Sequence, residues 1–146
     1  MTTGVTVRRA SRDDSAAVAP LLTQLGYPVA AEQLVDRFAR VEGSHSDAAW
    51  VAEDASGAII GFAAGHHFLP FELDAPLAEL TALVVDESRR GSGAGRRLVR
   101  AFEDWASIAG CARLSVATAF HRVGAHAFYE ALGYQQLAKK YQKSPE

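Results

Sequence analysis

The sequence predicts a mixed α/β fold with a central, partly antiparallel sheet. Short apolar runs alternate with amphipathic helical patterns, and no repeat or low-complexity tract divides the chain. A length of 146 residues suits one hydrophobic core without disulfides or metal. We therefore expect a single domain over residues 1–146.

The N-terminal third predicts one strand followed by two helices. Residues 5–10 alternate as a short strand, and Ser11 followed by two aspartates is typical of a helix start. Gly26 is the expected end of this first helix. A second helix is predicted over 30–40. Its apolar face is expected to carry Leu34, Val35 and Phe38.

Two strands over 48–53 and 58–67 flank a turn-rich connection and predict a hairpin. A third strand is predicted over 78–86. A helix over 95–109 follows, with an expected buried face of Leu98, Phe102, Trp105, Ala106 and Ala109. The remaining predicted elements are a strand over 113–119, a helix over 124–132 and a final strand over 134–141. The predicted order is therefore βααβββαβαβ.

A glycine-rich turn joins the 78–86 strand to the helix after it. From Arg89 to Leu98 the sequence reads RRGSGAGRRL. Glycines let backbone N–H groups approach a phosphate closely, and the positive end of the helix dipole favours an anion there. The turn therefore predicts a site for a phosphorylated ligand.

Two familiar phosphate loops do not fit this turn. A Walker A loop requires a lysine after the glycines, and none follows here. The dinucleotide fingerprint requires a third glycine at the position of Arg96.

A third loop does fit. The segment from Arg90 to Gly95 resembles the R/Q-x-x-G-x-G/A pyrophosphate loop of the GNAT N-acetyltransferases, and AFYEALGY over 127–134 resembles their C-terminal signature. The passage from Leu83 to Gly91 also resembles the family's route from its fourth strand to its third helix. The resemblance covers nearly the whole chain, and it implies the GNAT fold with acetyl-CoA as cosubstrate.

The resemblance also implies which residues contact acetyl-CoA. Backbone N–H groups of the glycine turn are expected to hold the pyrophosphate, and the strand before it is expected to pair with the pantetheine arm. The implied contacts are Leu83, Val84, Val85, Arg90, Gly91, Ser92, Gly93, Ala94, Gly95, Arg96 and Arg122. Arg122 stands where many relatives carry an asparagine. The local pattern from Arg122 to Tyr129 resembles that of a subgroup that contains aminoglycoside 6′-N-acetyltransferase-like proteins.

Acetyl transfer to an amine requires a proton acceptor, because a free lysine-like ammonium has a pKa of about 10.4. Glu79 is the candidate base, since it lies where histone-acetylating relatives carry a glutamate; an exposed strand-start acid or a water chain is the alternative. Tyr129, the tyrosine of the C-terminal signature, is the candidate acid for the leaving thiol. A locally bonded tyrosine is its alternative. The amine is expected to attack the thioester directly, without a covalent enzyme intermediate.

The acceptor is expected to be an amine of a small molecule or peptide. Tyr27, Phe71 and Glu72 are the candidate acceptor contacts, because aromatic rings and a carboxylate suit a cationic amine. The loop containing Phe71 is equally compatible with a cover for the sheet edge or half of a homodimer interface. A non-catalytic acyl-CoA-binding regulatory module is the alternative function.

Composition and sequence patterns narrow the possible partners, metals and cellular location of the protein. A net charge of −2 argues against a nucleic-acid partner, and no apolar run approaches the ~20 residues that cross a membrane. One cysteine, Cys111, fits a reducing cytoplasm and is expected in the core. The histidines lack zinc-ligand spacing, so we expect no metal. The absence of a signal-peptide pattern adds to the expectation of a cytoplasmic protein.

Overall fold

A computed structural model describes residues 4–117 and 123–145 of the chain. The strands are β1 (Thr6–Arg9), β2 (Asp47–Glu53), β3 (Ile59–Phe68), β4 (Leu77–Val85) and β5 (Arg113–Val116). The helices are α1 (Ser15–Leu25), α2 (Ala31–Glu42), α3 (Ala94–Ile108) and α4 (Val123–Ala131). Short 3-10 turns precede α1 at Arg12–Asp14 and α3 at Glu87–Arg89.

The five strands form one sheet in the order β1-β2-β3-β4-β5. β1 to β4 pair with their neighbours in antiparallel fashion, whereas β4 and β5 pair in parallel. A parallel pair requires a crossover, which α3 provides. The predicted mixed α/β class with a partly antiparallel sheet is confirmed.

The sheet separates two apolar layers. On β2, Ala48, Trp50 and Ala52 face the layer that holds α3, while Ala49 and Val51 face α1 and α2. This division follows from the alternation of side chains along a strand. The sheet therefore has α3 and α4 on one side and α1 and α2 on the other.

Three details of the sequence prediction are wrong. Residues 134–145 form neither strand nor helix, and the predicted final strand has no sheet partner among the described residues. Val35 is exposed, because the stripe that α2 buries runs through Leu34 and Phe38. Ala109 is exposed as well, because α3 ends one residue before it.

The start of α1 is held by a buried carboxylate. Asp14 accepts two hydrogen bonds from the Arg8 guanidinium, at 2.9 and 2.8 Å, and one from the Ser11 backbone N–H at 2.8 Å. Arg8 also pairs with Glu53, on the neighbouring strand. The Arg8 hydrogen bonds hold the pKa of Asp14 below its ordinary value. This contact connects β1, β2 and α1.

We expect Asp14→Asn to lower the free energy of unfolding by about 1–2 kcal/mol, because charge-assisted bonds are lost but Arg8 is half exposed and partly screened. A carboxyl whose pKa is lowered on folding stabilises the protein above its unfolded pKa of about 3.8 and loses that effect as the pH falls further. Urea unfolding of both proteins should therefore give a difference that shrinks below pH 3.8.

Asp13→Asn is the matched control, since the neighbouring Asp13 is exposed, its backbone N–H donates to Ser11 Oγ, and its side chain forms no ion pair within 4 Å among the described residues. Its effect should stay within about 0.5 kcal/mol. An Asp14→Asn effect equal to the control at neutral pH would contradict this account of the α1 start.

Candidate functional site

The pairing of β4 with β5, the edge strand of the described sheet, ends partway along β4. Their pairing is confined to residues 77–80 of β4 and 113–116 of β5. A bulge lies at the same point, where Ala64 pairs with Ala82 but Gly65 pairs with Leu80. Within the described chain, the rest of β4, including Leu83, Val84 and Val85, has a sheet neighbour only in β3. Among the described residues, the edge of β4 that faces away from β3 therefore has no strand beside it beyond Leu80, and we refer to it as the open edge of β4.

The glycine-rich turn follows this open edge directly. Gly91 has φ +85° and Gly93 has φ +89°, both in the left-handed region that favours glycine. Nothing lies within 4 Å of the place where a Cβ on Gly91 would stand. Gly93 is the N-cap of α3 and offers no side chain to the first N–H groups; Ser92 Oγ accepts from Ala94 N–H at 3.3 Å. The turn thus leaves open space beside Gly91 at the N-terminus of α3, where the first N–H groups of a helix lack intrahelical partners.

Gly95 has a different role from Gly91 and Gly93. A Cβ on Gly95 would stand 3.3 Å from Phe128 Cζ and 3.6 Å from Val85 Cγ2. Real Cβ contacts are rarely as short as the first of these distances. Gly95 therefore lets α4 and β4 pack closely against the first turn of α3.

Two contacts fix the turn from outside. Arg89 Nη1 donates to Asp54 Oδ2 at 2.6 Å, which ties the turn to the β2–β3 hairpin. Gln24 of α1 donates to Asp86 Oδ1 at 3.3 Å and accepts from Glu87 N–H at 3.0 Å. Arg89 is consequently a positioning residue, although the sequence groups it with the basic residues of the turn.

Three other arginines of this region have no carboxylate partner among the described residues: Arg90, Arg96 and Arg97. Arg96 and Arg97 line a groove of about 420 Å³ between α3 and α4, together with Arg100 and Glu103. Arg100 lies 3.5 Å from Asp104, one turn further along α3. The region beside the turn therefore retains net positive charge.

Tyr129 lies on α4 and is buried, with 8% of its surface exposed. Its ring packs edge-on against Phe128 at 5.2 Å and Tyr134 at 5.9 Å. The Tyr134 hydroxyl donates to Glu103 Oε2 at 2.9 Å, and burial together with this carboxylate raises the pKa of Tyr134 well above its ordinary value. The two tyrosine rings thus pack against each other, and the Tyr134 hydroxyl is bonded to Glu103.

Glu79 belongs to a cluster that the sequence interpretation missed. We define the Glu79 cluster as His66, Phe68, Glu79 and Lys140. Glu79 Oε2 lies 3.4 Å from His66 Nε2, directly across the β3–β4 pair, and Glu79 Oε1 lies 3.7 Å from Lys140 Nζ. Phe68 stacks on the His66 ring at 5.6 Å. Only the strand register could have signalled His66, and no local signal places Lys140.

The two adjacent histidines separate, as expected for neighbours on a strand. His67 packs against Trp105 at 5.1 Å on the α3 side of the sheet, so the Glu79 cluster lies on the opposite side. Glu79 is 23% exposed there. A partly exposed carboxylate, that of Glu79, therefore lies close to the end of the β4–β5 pairing.

The predicted acceptor contacts are not brought together. Phe71 and Glu72 are exposed in the loop before β4, and Tyr27 is exposed after α1, whose end is held to the far end of β4 by Gln24. No side-chain contact joins these residues within the described ranges. Arg122 lies outside the described residues.

The described residues form neither a metal site nor a membrane-spanning helix. Among residues 4–117 and 123–145, no group of three metal-ligating side chains comes together. The same residues contain no helix with the length and apolar character to cross a membrane. Cys111 packs against the core, and burial raises the pKa of its thiol.

Comparisons with known proteins agree with this geometry. Residues 17–134 match the profile of the Acetyltransferase (GNAT) family. An aminoglycoside N(6′)-acetyltransferase type 1 from Stenotrophomonas maltophilia is 33% identical over 140 residues, which cover 92% of this chain and 88% of that protein.

Solved structures share the fold. A putative acetyltransferase from Agrobacterium tumefaciens superposes with a TM-score of 0.85 at 25% identity, covering 96% of this chain and 99% of the other. The aminoglycoside N-acetyltransferase AAC(6′)-Iy, solved in complex with CoA, superposes with a TM-score of 0.84 at 19% identity, covering 97% and 94%. The chain belongs to the GNAT acetyltransferase family, whose members transfer an acetyl group from acetyl-CoA to an amine.

Proposed function

We propose that this acetyltransferase modifies a primary amine of a small cationic molecule or a peptide, by direct attack of the amine on the thioester. The observation that carries the proposal is the partly exposed Glu79 carboxylate, which lies near the end of the β4–β5 pairing. An anionic group with an aromatic neighbour, Phe68, is suited to hold an ammonium. The relative from S. maltophilia, an aminoglycoside acetyltransferase, supports a small polyamine as the first acceptor class to test.

The residues of the turn fit acetyl-CoA. Open space beside Gly91 and the uncapped start of α3 suit a pyrophosphate, whose charge Arg90 and Arg96 would balance. Ser92, Ala94 and Gly95 complete the backbone cradle. The open edge of β4 at Leu83, Val84 and Val85 offers backbone partners to the amides of the pantetheine arm, and Arg122 stays a proposed contact.

Acetyl-CoA, when bound, supplies an acetyl group as a thioester, whose thiolate leaves more readily than an alkoxide would. A backbone N–H near Leu83 or Val84 would polarise the thioester carbonyl in this arrangement. Glu79 would take a proton from the acceptor ammonium, and His66 at 3.4 Å holds the carboxylate in place. A carboxylate that accepts this proton leaves the amine lone pair free to attack.

Tyr129 is proposed to protonate the leaving thiolate. Its buried ring is fixed by Phe128 and Tyr134, and α4 packs against the first turn of α3 through Gly95. A hydroxyl held on a rigid helix can donate with little reorganisation. Proximity of α4 to the glycine turn is what supports this role over that of Tyr134, whose hydroxyl is committed to Glu103.

Several wider assignments belong to the same proposal. Residues 1–146 are proposed to act as one domain in the cytoplasm, where the free thiol of Cys111 persists. Tyr27, Phe71 and Glu72 are proposed to contact the acceptor once it is bound. The exposed apolar loop around Phe71 also supports a homodimer as an alternative use of that surface.

The proposal is tested by calorimetric titration with acetyl-CoA, followed by assay of thiol release with a panel of amines that includes aminoglycosides, polyamines and lysine peptides. We expect binding, and release with at least one cationic amine. Binding without release across the panel would favour a regulatory acyl-CoA-binding module. Absence of binding would refute the cosubstrate assignment.

Tyr129→Phe should lower turnover by roughly 10–100-fold while acetyl-CoA affinity changes by less than about threefold, because only the proton donor is lost. Tyr134→Phe is the matched control, since it removes a neighbouring hydroxyl that bonds Glu103. Steady-state kinetics and calorimetry on both proteins make the comparison. Equal turnover in the two variants would remove Tyr129 as the acid.

Gly91→Ala should weaken acetyl-CoA binding by at least about tenfold, because a left-handed φ costs alanine roughly 1–2 kcal/mol and the turn relaxes. Gly110→Ala is the control. Gly110 also has a positive φ, +79°, with open space around it, but it follows α3 at its far end. Both variants should lose similar stability on urea unfolding, and only Gly91→Ala should lose affinity. Unchanged affinity in Gly91→Ala would contradict the cradle.

A further inference from the structure

The lysines of this chain occupy an unusual position in the sequence. Three lysines stand among the fifteen basic residues, and all three fall within five residues near the C-terminus: Lys139, Lys140 and Lys143. Every other basic side chain is a guanidinium, which remains protonated and does not serve as an amine nucleophile. The side-chain amines of the protein are thus confined to one short segment.

One of these amines lies at the proposed base. Lys140 Nζ is 3.7 Å from Glu79 Oε1, and Lys140 itself is 64% exposed. Within the described chain, Lys139 and Lys143 have no carboxylate within ion-pair distance. Of the three side-chain amines, Lys140 is therefore the one that contacts the carboxylate assigned to the acceptor ammonium.

The segment that carries Lys140 can move without disrupting the sheet. Residues 134–145 form no helix or strand, and Leu137 and Tyr141 expose most of their side chains. The side-chain contacts recorded for this segment are the Tyr129–Tyr134 ring contact, the Tyr134–Glu103 hydrogen bond and the Lys140–Glu79 ion pair. Because an exposed ion pair holds a segment weakly, moving Lys140 toward the point where the β4–β5 pairing ends costs little free energy.

We propose that Lys140 is an internal acetyl acceptor, so that the enzyme acetylates its own C-terminal segment at this residue. The inference rests on the proposed function. In the step, Glu79 takes a proton from the Lys140 ammonium, and the freed Nζ attacks the thioester carbonyl of acetyl-CoA. A bond forms between Nζ and the acetyl carbon, and the carbon–sulfur bond breaks. Tyr129 gives a proton to the departing thiolate, which leaves as CoA, and the second proton that Nζ loses on forming the amide restores the Tyr129 hydroxyl.

The product would alter the Glu79 cluster. Acetylation makes Lys140 a neutral amide, so its attraction to Glu79 is lost. The carboxylate would then be left to His66 and to an incoming cationic acceptor. Before acetylation, the Lys140 ammonium competes with such an acceptor for the same carboxylate.

The test incubates the full-length protein with acetyl-CoA and no added acceptor, after the acetylation already present has been measured. Peptide mass spectrometry then gives the occupancy of each lysine with time. We expect one acetyl group per chain, with Lys140 modified at least about tenfold faster than Lys139 or Lys143, because proximity favours the contacting amine. The rate constant should not change over a twentyfold range of protein concentration, since the reaction is intramolecular.

Three variants distinguish acetylation of Lys140 from a purely electrostatic role of this residue. Lys139→Arg should leave acetylation of Lys140 unchanged, whereas Lys140→Arg should leave the segment unmodified. Glu79→Gln should slow the modification roughly 100-fold, the loss expected when a general base is removed. A Lys140 ammonium that merely neutralises Glu79 would take no acetyl group in wild-type protein.

Three outcomes would overturn the inference. These are equal modification of all three lysines, a rate that rises with protein concentration, and no acetylation of Lys140 in protein that binds acetyl-CoA and acetylates an external amine. Calorimetry and the amine panel on the same sample separate these from failure of the proposed function, in which acetyl-CoA does not bind and both conclusions fall together.

Discussion

The end of the β4–β5 pairing is the constraint on which the proposed site depends. Parallel pairing stops after residue 80, at a bulge, and leaves one edge of β4 without a neighbour in the described chain. Unpaired backbone groups in a sheet are costly unless they are solvated or bound, so this edge is maintained by packing elsewhere. The two apolar layers cover the sheet from either side, and α3 begins beyond the end of β4.

Two sets of polar contacts surround this opening, and they act on different sides of it. Asp54 and Gln24 hold the glycine turn in place through Arg89, Asp86 and Glu87, which leaves other arginines available for anions. The Glu79 cluster lies at the opposite end of β4 and on the other face from α3. The glycine turn therefore keeps positive charge for an anionic cosubstrate, whereas the Glu79 carboxylate on the other face is shared with His66 and Lys140.

The sequence predicted what local patterns can predict, and it failed where long-range partners decide. The glycine turn and the order of the first nine elements follow from local chemistry, and the structure contains them. Ser11 is a cap as predicted, but it caps the 3-10 turn that precedes α1. Whether 134–141 becomes a strand depends on a paired neighbour, which no local pattern reports. The Glu79 cluster likewise depends on the β3–β4 register for His66 and on the path of the C-terminal segment for Lys140.

The close approach at Gly95 couples the position of the glycine-rich turn to the position of α4. Phe128 lies against Gly95, next to Tyr129 in sequence, while Val85 of β4 closes the same contact. A side chain at residue 95 would require the Phe128 ring to shift by a few tenths of an ångström. A substitution there that retunes cosubstrate affinity would therefore also disturb the ring that packs on Tyr129, the proposed acid.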